Sequence, residues 1–367
     1  MRTRCLSIHA TYRCRHSGAC CHAAWDIEVE PHIVEALATR RVIAVSSTRT
    51  PFVPGIEDAA TVTLARGGGG WCGFRQNQRC SLQQAGGEEM LPSACRHFPR
   101  VFLRDGRGTL VTLSHYCPTA AALLLEDGPV TVMDAPYPLA LAEPIEGLDA
   151  RDALPPLVRP GLLADLQGYA AWEEAALAAI ATAPSMGVAL DRIAAATERV
   201  RQWTPLQGRL ADAVTTAYAT TAMLDGDGAD PALSDGFGAV REVTGPHPLL
   251  AVDSDFAETW TTLQTDSADV LRRPIANYMA ACTFGNWTAY RGQGLRTVVA
   301  WLHGCYDVLR VQLLRHAAVA GGINREVLIE SFRMADFIIV HTVPSLEFGR
   351  TAAVFEQMAP NYRHPQP

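Results

Sequence analysis

The residues of this chain best equipped for chemistry are its thiols. There are ten: Cys5, Cys14, Cys20, Cys21, Cys72, Cys80, Cys95, Cys117, Cys282 and Cys305. Eight fall within the first 117 residues, and the next 164 contain none, which divides the chain into a Cys-rich head and a Cys-poor body. Thiolates are preferred ligands of zinc, copper(I) and iron–sulfur clusters. Cys14, Cys20, Cys21, Cys72, Cys80, Cys95 and Cys117 are the candidate ligands. Seven exceed the four that one tetrahedral zinc takes. They suit one [4Fe–4S] cluster with thiols to spare, or two metal centres. A single structural zinc with leftover buried thiols, or no metal at all, are the competing readings. His16, His22, His97 and His115 each lie within two residues of a cysteine, as ligands or as hydrogen-bonding neighbours of ligands. Adjacent Cys20 and Cys21 point apart unless the backbone turns sharply, which Gly18 and Ala19 permit. Cys282 and Cys305 sit in apolar helical contexts and read as buried small hydrophobes. Cys5 has no spacing partner.

Local elements must carry these thiols to one place. Val101–Leu103 and Leu110–Leu113 flank the turn Asp105-Gly106-Arg107-Gly108, a hairpin signal that returns Cys117 toward Cys95. Trp71–Phe74 and Arg79–Leu82, around a polar turn, predict a smaller hairpin that brings Cys72 and Cys80 together. Pro31–Arg41 reads as a helix with Ile33, Val34, Leu37 and Ala38 on one face. Thr61–Leu64 alternates like a strand. Gly67–Gly70 reads as a loop, because no Lys-Ser/Thr pair follows to make it a phosphate cradle. Helical spacing recurs at Leu162, Leu166, Tyr169, Ala176 and Ile180, at Leu302, Tyr306, Leu309 and Leu313, and at Leu328, Phe332, Ala335 and Ile339. The expectation is an α+β chain: a metal- or iron–sulfur-binding domain with β-hairpins over 1–134, a Pro-rich linker over 135–160, and a mainly α-helical domain over 161–367. Asp225–Asp230 lacks the ligands of a calcium loop and reads as a surface turn. Asn286-Trp287-Thr288 is a formal glycosylation sequon.

Composition narrows the function. Net charge is −7, with 31 basic and 38 acidic side chains, which argues against a generic nucleic-acid binder. Every basic residue is Arg, so no lysine Schiff base and no P-loop lysine can form. No apolar run is long enough to span a membrane, and no apolar run follows Arg2 and Arg4 as a secretory signal requires. A cytoplasmic location with reduced thiols is the expectation.

The cysteine spacing carries a resemblance. Cys14-x2-Ser17-x2-Cys20-Cys21, then Cys72-Gly73-Phe74, Cys80-Ser81-Leu82 and Cys95-Arg96-His97-Phe98-Pro99, resemble the motif of the cysteine-cluster family of zinc- or iron-chelating domains. Ser17 stands where that family has its second cysteine. Trp25-Asp26-Ile27, the segment Ser93–Arg100 and the segment Leu113–Ala120 are similar to elements of the flagellin lysine N-methylase family. There Thr119 stands where those relatives have an acidic residue. The resemblance covers about a third of the chain. It implies methyl transfer from S-adenosylmethionine to lysine side chains of a flagellin-like protein, with a metal or iron–sulfur centre in the head. The chain has no Gly-x-Gly after a strand and no Cys-x3-Cys-x2-Cys run. A site for S-adenosylmethionine must therefore be built otherwise, near the cluster, where Arg96 and Arg100 could hold a carboxylate or pair with acidic surface groups. The alternative is a non-catalytic metal-binding or redox module whose helical body docks a partner.

Overall fold

The computed structural model describes residues 2–22, 26–40, 52–54, 61–77, 79–137, 139, 147–222 and 232–358. Trp25, the Asp225–Asp230 turn and part of the 135–160 stretch lie outside them. The fold is α+β. Its N-terminal part contains strands β1 (Thr3–Leu6), β2 (Phe52–Pro54), β3 (Val62–Leu64), β4 (Arg75–Gln76), β5 (Arg79–Cys80), β6 (Arg100–Asp105), β7 (Gly108–Leu113) and β8 (Val132–Asp134). Helices α1 (Pro31–Arg40), α2 (Ser81–Gly86), α3 (Ser93–His97) and α4 (Pro118–Leu123) lie among them.

The hairpin signal at Asp105–Gly108 forms as expected, with β6 and β7 paired from Arg100↔Leu113 to Asp105↔Gly108. Asp105 Oδ1 accepts the Arg107 amide at 2.7 Å and closes the turn. Gly108 has φ +123°, and a Cβ there would stand 2.5 Å from the Arg2 carbonyl oxygen. That close approach lets β1 pair alongside β7. The sheet order is β8-β1-β7-β6-β9, where β9 is Leu148–Asp149. Leu6, Leu103 and Leu110 pack on one side, while Cys5, Phe102 and Val111 pack in a separate core. A sheet covered on both faces explains why these strands read as continuous apolar runs rather than alternating ones.

Residues 147–163 are more than a connector. β9 joins the sheet, and β10 (Leu157–Arg159) pairs with β11 (Leu162–Leu163). The helix whose stripe was traced from Leu162 begins at Leu166. Pro160-Gly161 reverses the chain, and Asp165 caps the helix by accepting Gly168 N at 2.6 Å. The body is helical: α5 (Leu166–Thr182), α6 (Met186–Val200), α7 (Leu210–Thr221), α8 (Asp235–Thr244), α9 (Phe256–Asp266), α10 (Ala268–Thr283), α11 (Thr288–Arg291), α12 (Leu295–Ala320), α13 (Arg325–His341) and α14 (Ser345–Thr351). Leu302, Tyr306, Leu309 and Leu313 of α12 are buried, as are Leu328, Phe332, Ala335 and Ile339 of α13. No described helix is long and apolar enough to cross a membrane.

Three cores result. The largest joins Leu6, Leu103, Leu110 and Leu124 of the N-terminal part to Tyr169, Trp172, Leu309 and Phe332 of the body. The second lies on the far side of the sheet, around Cys5, Tyr12, Phe102 and Cys117. The third belongs to a small lobe and holds, among the described residues, nine buried side chains, including Ile33, Leu37, Phe74 and Leu82. The Cys-rich region therefore has two parts: a sheet fused to the helices, and a small lobe with a core of its own.

Candidate functional site

The small lobe gathers four thiols. Cys20 and Cys21 sit in a single 3-10 turn, Ala19–His22, entered through Gly18 at φ +78°. That turn resolves the adjacency problem, because it lets both sulfurs face the same neighbours. Cys72 is tied to them by its amide, which donates to the Cys21 carbonyl at 2.7 Å. Cys80 follows on β5, opposite Arg75 of β4, so the small hairpin brings it back to Cys72. All six pairs among Cys20, Cys21, Cys72 and Cys80 interact electrostatically. The Cys21 thiol donates to the Cys20 sulfur. This draws Cys20 down to about 7 and pushes Cys21 up. Burial raises Cys72 and Cys80.

The other expected ligands are placed elsewhere. Cys95, on α3, packs against the same small core as Cys72 and Cys80. Cys117 lies in the second core, accepting a hydrogen bond from the Tyr12 hydroxyl, and exposed Cys14 is its electrostatic neighbour. Burial pushes the Cys5 thiol up to about 11 in that same core. Cys305 is fully buried and Cys282 half-buried, hydrogen-bonded to each other between α10 and α12. The seven candidate sulfurs thus divide into a four-thiol group with Cys95 beside it, and a Cys14–Cys117 pair. His22 packs on Trp71 at 4.4 Å between ring centres, and Arg75 covers that ring at 3.6 Å.

Among the described residues, no three His, Cys, Asp or Glu side chains stand close enough to hold a metal ion as they are placed. The four-thiol group still fits a thiolate centre in donor chemistry and number. Its thiols come from three segments into one lobe, where each is an electrostatic neighbour of the others. Binding that draws such ligands together is coupled to folding.

A second feature lies where the sheet meets the body. A cavity of about 510 Å³ opens between His97, Phe98, Arg100 and Phe102 on one side and Cys282, Trp287, Arg291 and His341 on the other. Its lining residues His115, Asp336 and His341 belong to a buried polar group that continues behind the wall to His9 and Ser114. His9 Nε2 and His115 Nε2 are 3.1 Å apart, and the His115 amide donates to Asp336, whose carboxylate also lies 3.8 Å from His115 Nδ1. Burial, with His115 beside it, holds His9 well below the ordinary histidine range. His341 Nε2 lies 2.7 Å from Ser114 Oγ, and burial lowers it to about 4. Sequence reasoning singled out Arg100 and the neighbourhood of Cys95 but missed His9, Asp336, His341 and the Asn286–Arg291 segment. The available signals were a carboxylate inside the apolar stripe of α13 and a polar break between two helices.

Below these walls a buried ionic clasp joins the halves. Arg107 donates to Asp105 at 2.8 Å and to Glu173 at 3.2 Å, Glu173 accepts the Gly285 amide at 3.1 Å, and the Tyr290 hydroxyl donates to Asp105 at 2.7 Å. No protein-family model, no curated protein and no solved structure matches the chain.

Proposed function

We propose that the protein is a metal- or iron–sulfur-containing protein-lysine N-methyltransferase. It would move a methyl group from S-adenosylmethionine to lysine side chains of a flagellin-like acceptor. The observation that carries this reading is the convergence of Cys20, Cys21, Cys72 and Cys80 in the small lobe, within the motif that resembles the methylase family. A zinc or iron–sulfur centre there would supply folding free energy to a lobe whose described residues include nine buried apolar side chains.

The cavity supports the reaction half. Methyl transfer forms an N–C bond from a neutral amine and breaks the S–C bond of the sulfonium. S-adenosylhomocysteine leaves, and the proton shed by the new ammonium goes to solvent. Phe98, Phe102, Phe284, Trp287 and Trp301 give the cavity an apolar, aromatic lining, which favours a neutral amine over an ammonium.

One observation favours the second reading, a non-catalytic metal-binding or redox module. Four thiols saturate a tetrahedral centre and leave no open position. The experiment is anaerobic purification with metal analysis and an absorption spectrum, followed by incubation with labelled S-adenosylmethionine and lysine-rich acceptor proteins. Label in acceptor lysines supports the transferase. An intact centre with neither binding nor transfer removes it and leaves the module.

A further inference from the structure

Two thiols lie outside the Cys-rich region, Cys282 on α10 and Cys305 on α12. Their side chains are hydrogen-bonded to each other, and the Tyr278 hydroxyl, one turn before Cys282, lies beside them. Helical context alone makes both of them core residues, yet the two side chains do not share one environment. Cys305 is 0% exposed and sits within the largest core. Cys282 is half-buried and lines the cavity between the sheet and the helices. A small molecule entering that cavity meets Cys282 first, with Cys305 in contact behind it.

Burial holds the Cys305 thiol well above the ordinary cysteine range, and its bond with Cys282 and the nearby Asp336 carboxylate add to this. Cys305 therefore stays protonated and is not the group an oxidant attacks. A partly exposed thiol with a second thiol in contact is the arrangement in which an oxidised sulfur is resolved as a disulfide rather than carried on to the sulfinic acid. We propose that Cys282 and Cys305 form a redox pair that responds to small hydroperoxides, Cys282 being oxidised at the cavity wall and Cys305 closing a disulfide onto it. In the first step the O–O bond breaks, Cys282 takes one oxygen as a sulfenic acid, and the alcohol, or water from hydrogen peroxide, leaves. In the second the Cys305 sulfur attacks the Cys282 sulfur. The S–S bond forms, the S–O bond breaks, and the hydroxyl leaves as water with the Cys305 proton. The two thiols are oxidised and the peroxide is reduced by the two electrons they give up. The bond ties α10 to α12 beside the cavity. It uses none of the four thiols of the small lobe, so the inference does not depend on what they hold.

The test is a disulfide map of the full-length protein, purified without oxygen and then exposed to hydrogen peroxide. Arg291 and Arg296 lie between the two cysteines, so trypsin places them on separate peptides. After alkylation of free thiols and non-reducing digestion, mass spectrometry should find those two peptides joined. Alkylation should be lost at both cysteines and restored by dithiothreitol. Cys305→Ser should leave Cys282 as a sulfenic acid that dimedone captures, whereas Cys282→Ser should leave Cys305 unoxidised. The proposal is overturned if both cysteines are alkylated as fully after peroxide as before it. It is also overturned if Cys282 goes to the sulfinic acid with no joined peptide, or if either cysteine is joined to a different one. These results are read on the wild-type chain, so they stand even if a variant fails to fold. Dimedone capture at Cys305 in Cys282→Ser, equal to that at Cys282 in Cys305→Ser, overturns the division of roles.

Discussion

Replacing Glu173 by Ala tests whether the sheet and the helical body form one cooperative unit. The Arg107, Asp105 and Glu173 side chains are 8%, 1% and 5% exposed, so their charges depend on one another rather than on water. Arg107 sits in the β6–β7 turn, Glu173 on α5, and Gly285 just beyond α10. Burial raises the Glu173 carboxyl, and the Arg107 guanidinium opposes that rise. Losing the carboxylate removes the 3.2 Å bond from Arg107 and the 3.1 Å bond from the Gly285 amide. Charge-assisted bonds contribute about 1.5–3 kcal/mol each, and breaking a buried pair costs about 3–5 kcal/mol. The expected loss for Glu173→Ala is therefore about 3–5 kcal/mol. Glu173→Gln keeps an acceptor and should lose about half of that. Urea denaturation followed by far-ultraviolet circular dichroism and tryptophan fluorescence measures both. The two probes should coincide, because Trp287 donates to the Phe102 carbonyl at 3.0 Å and reports on the seam itself. A loss below about 1 kcal/mol for Glu173→Ala, or sheet and helices unfolding separately in wild type, would refute this account of the clasp.

Three further outcomes are expected. A strong chelator, or joint Cys20→Ser and Cys21→Ser substitution, should open the small lobe to protease while most helical signal survives; unchanged protease and melting profiles would mean these thiols bind nothing that folding requires. Histidine is ordinarily near 6.5, and burial takes His341 to about 4, so the folded state binds fewer protons in that interval and stability is complete above about pH 6.5. It should decline as pH falls toward 4 by about 3 kcal/mol from this residue, with His9 acting in the same direction; an acid limb equally steep in His341→Asn would refute the assignment. Gly108→Ala puts a Cβ 2.5 Å from the Arg2 carbonyl oxygen at φ +123° and should cost about 1–3 kcal/mol in denaturant titrations; a neutral result would contradict the packing of β1 against β7.

What was legible in the sequence follows from how local its cause is. The β6–β7 hairpin was readable because the Asp105–Gly108 turn and both apolar runs lie within a few residues of each other, and its ladder runs through those runs. The α12 and α13 stripes were readable because a helix repeats its buried face every turn. The α5 start was misplaced by four residues because Leu162 matches the stripe, yet Pro160-Gly161 turns the chain there and Asp165 supplies the cap. The convergence of Cys72 and Cys80 was readable because one short turn joins them. Cys117 went elsewhere through tertiary packing: Tyr12 and the second core hold it, with exposed Cys14 as its neighbour, and no spacing rule encodes that. The cavity lies at the far end of this scale. His115 follows β7 while Asp336 and His341 belong to α13, and they meet only because a shared apolar core presses the sheet onto the helices. Each residue alone has an ordinary explanation. Asp336 reads as a lapse in a stripe, and Thr288 as part of a sequon, although Asn286 is only 6% exposed. A polar residue that breaks an apolar stripe either loses its hydration without compensation or finds a partner from another element. Asp336 finds the His115 amide, 221 residues away. Such breaks are therefore the places in a helical sequence where a distant site announces itself, and the chemistry of the break indicates what the site must contain.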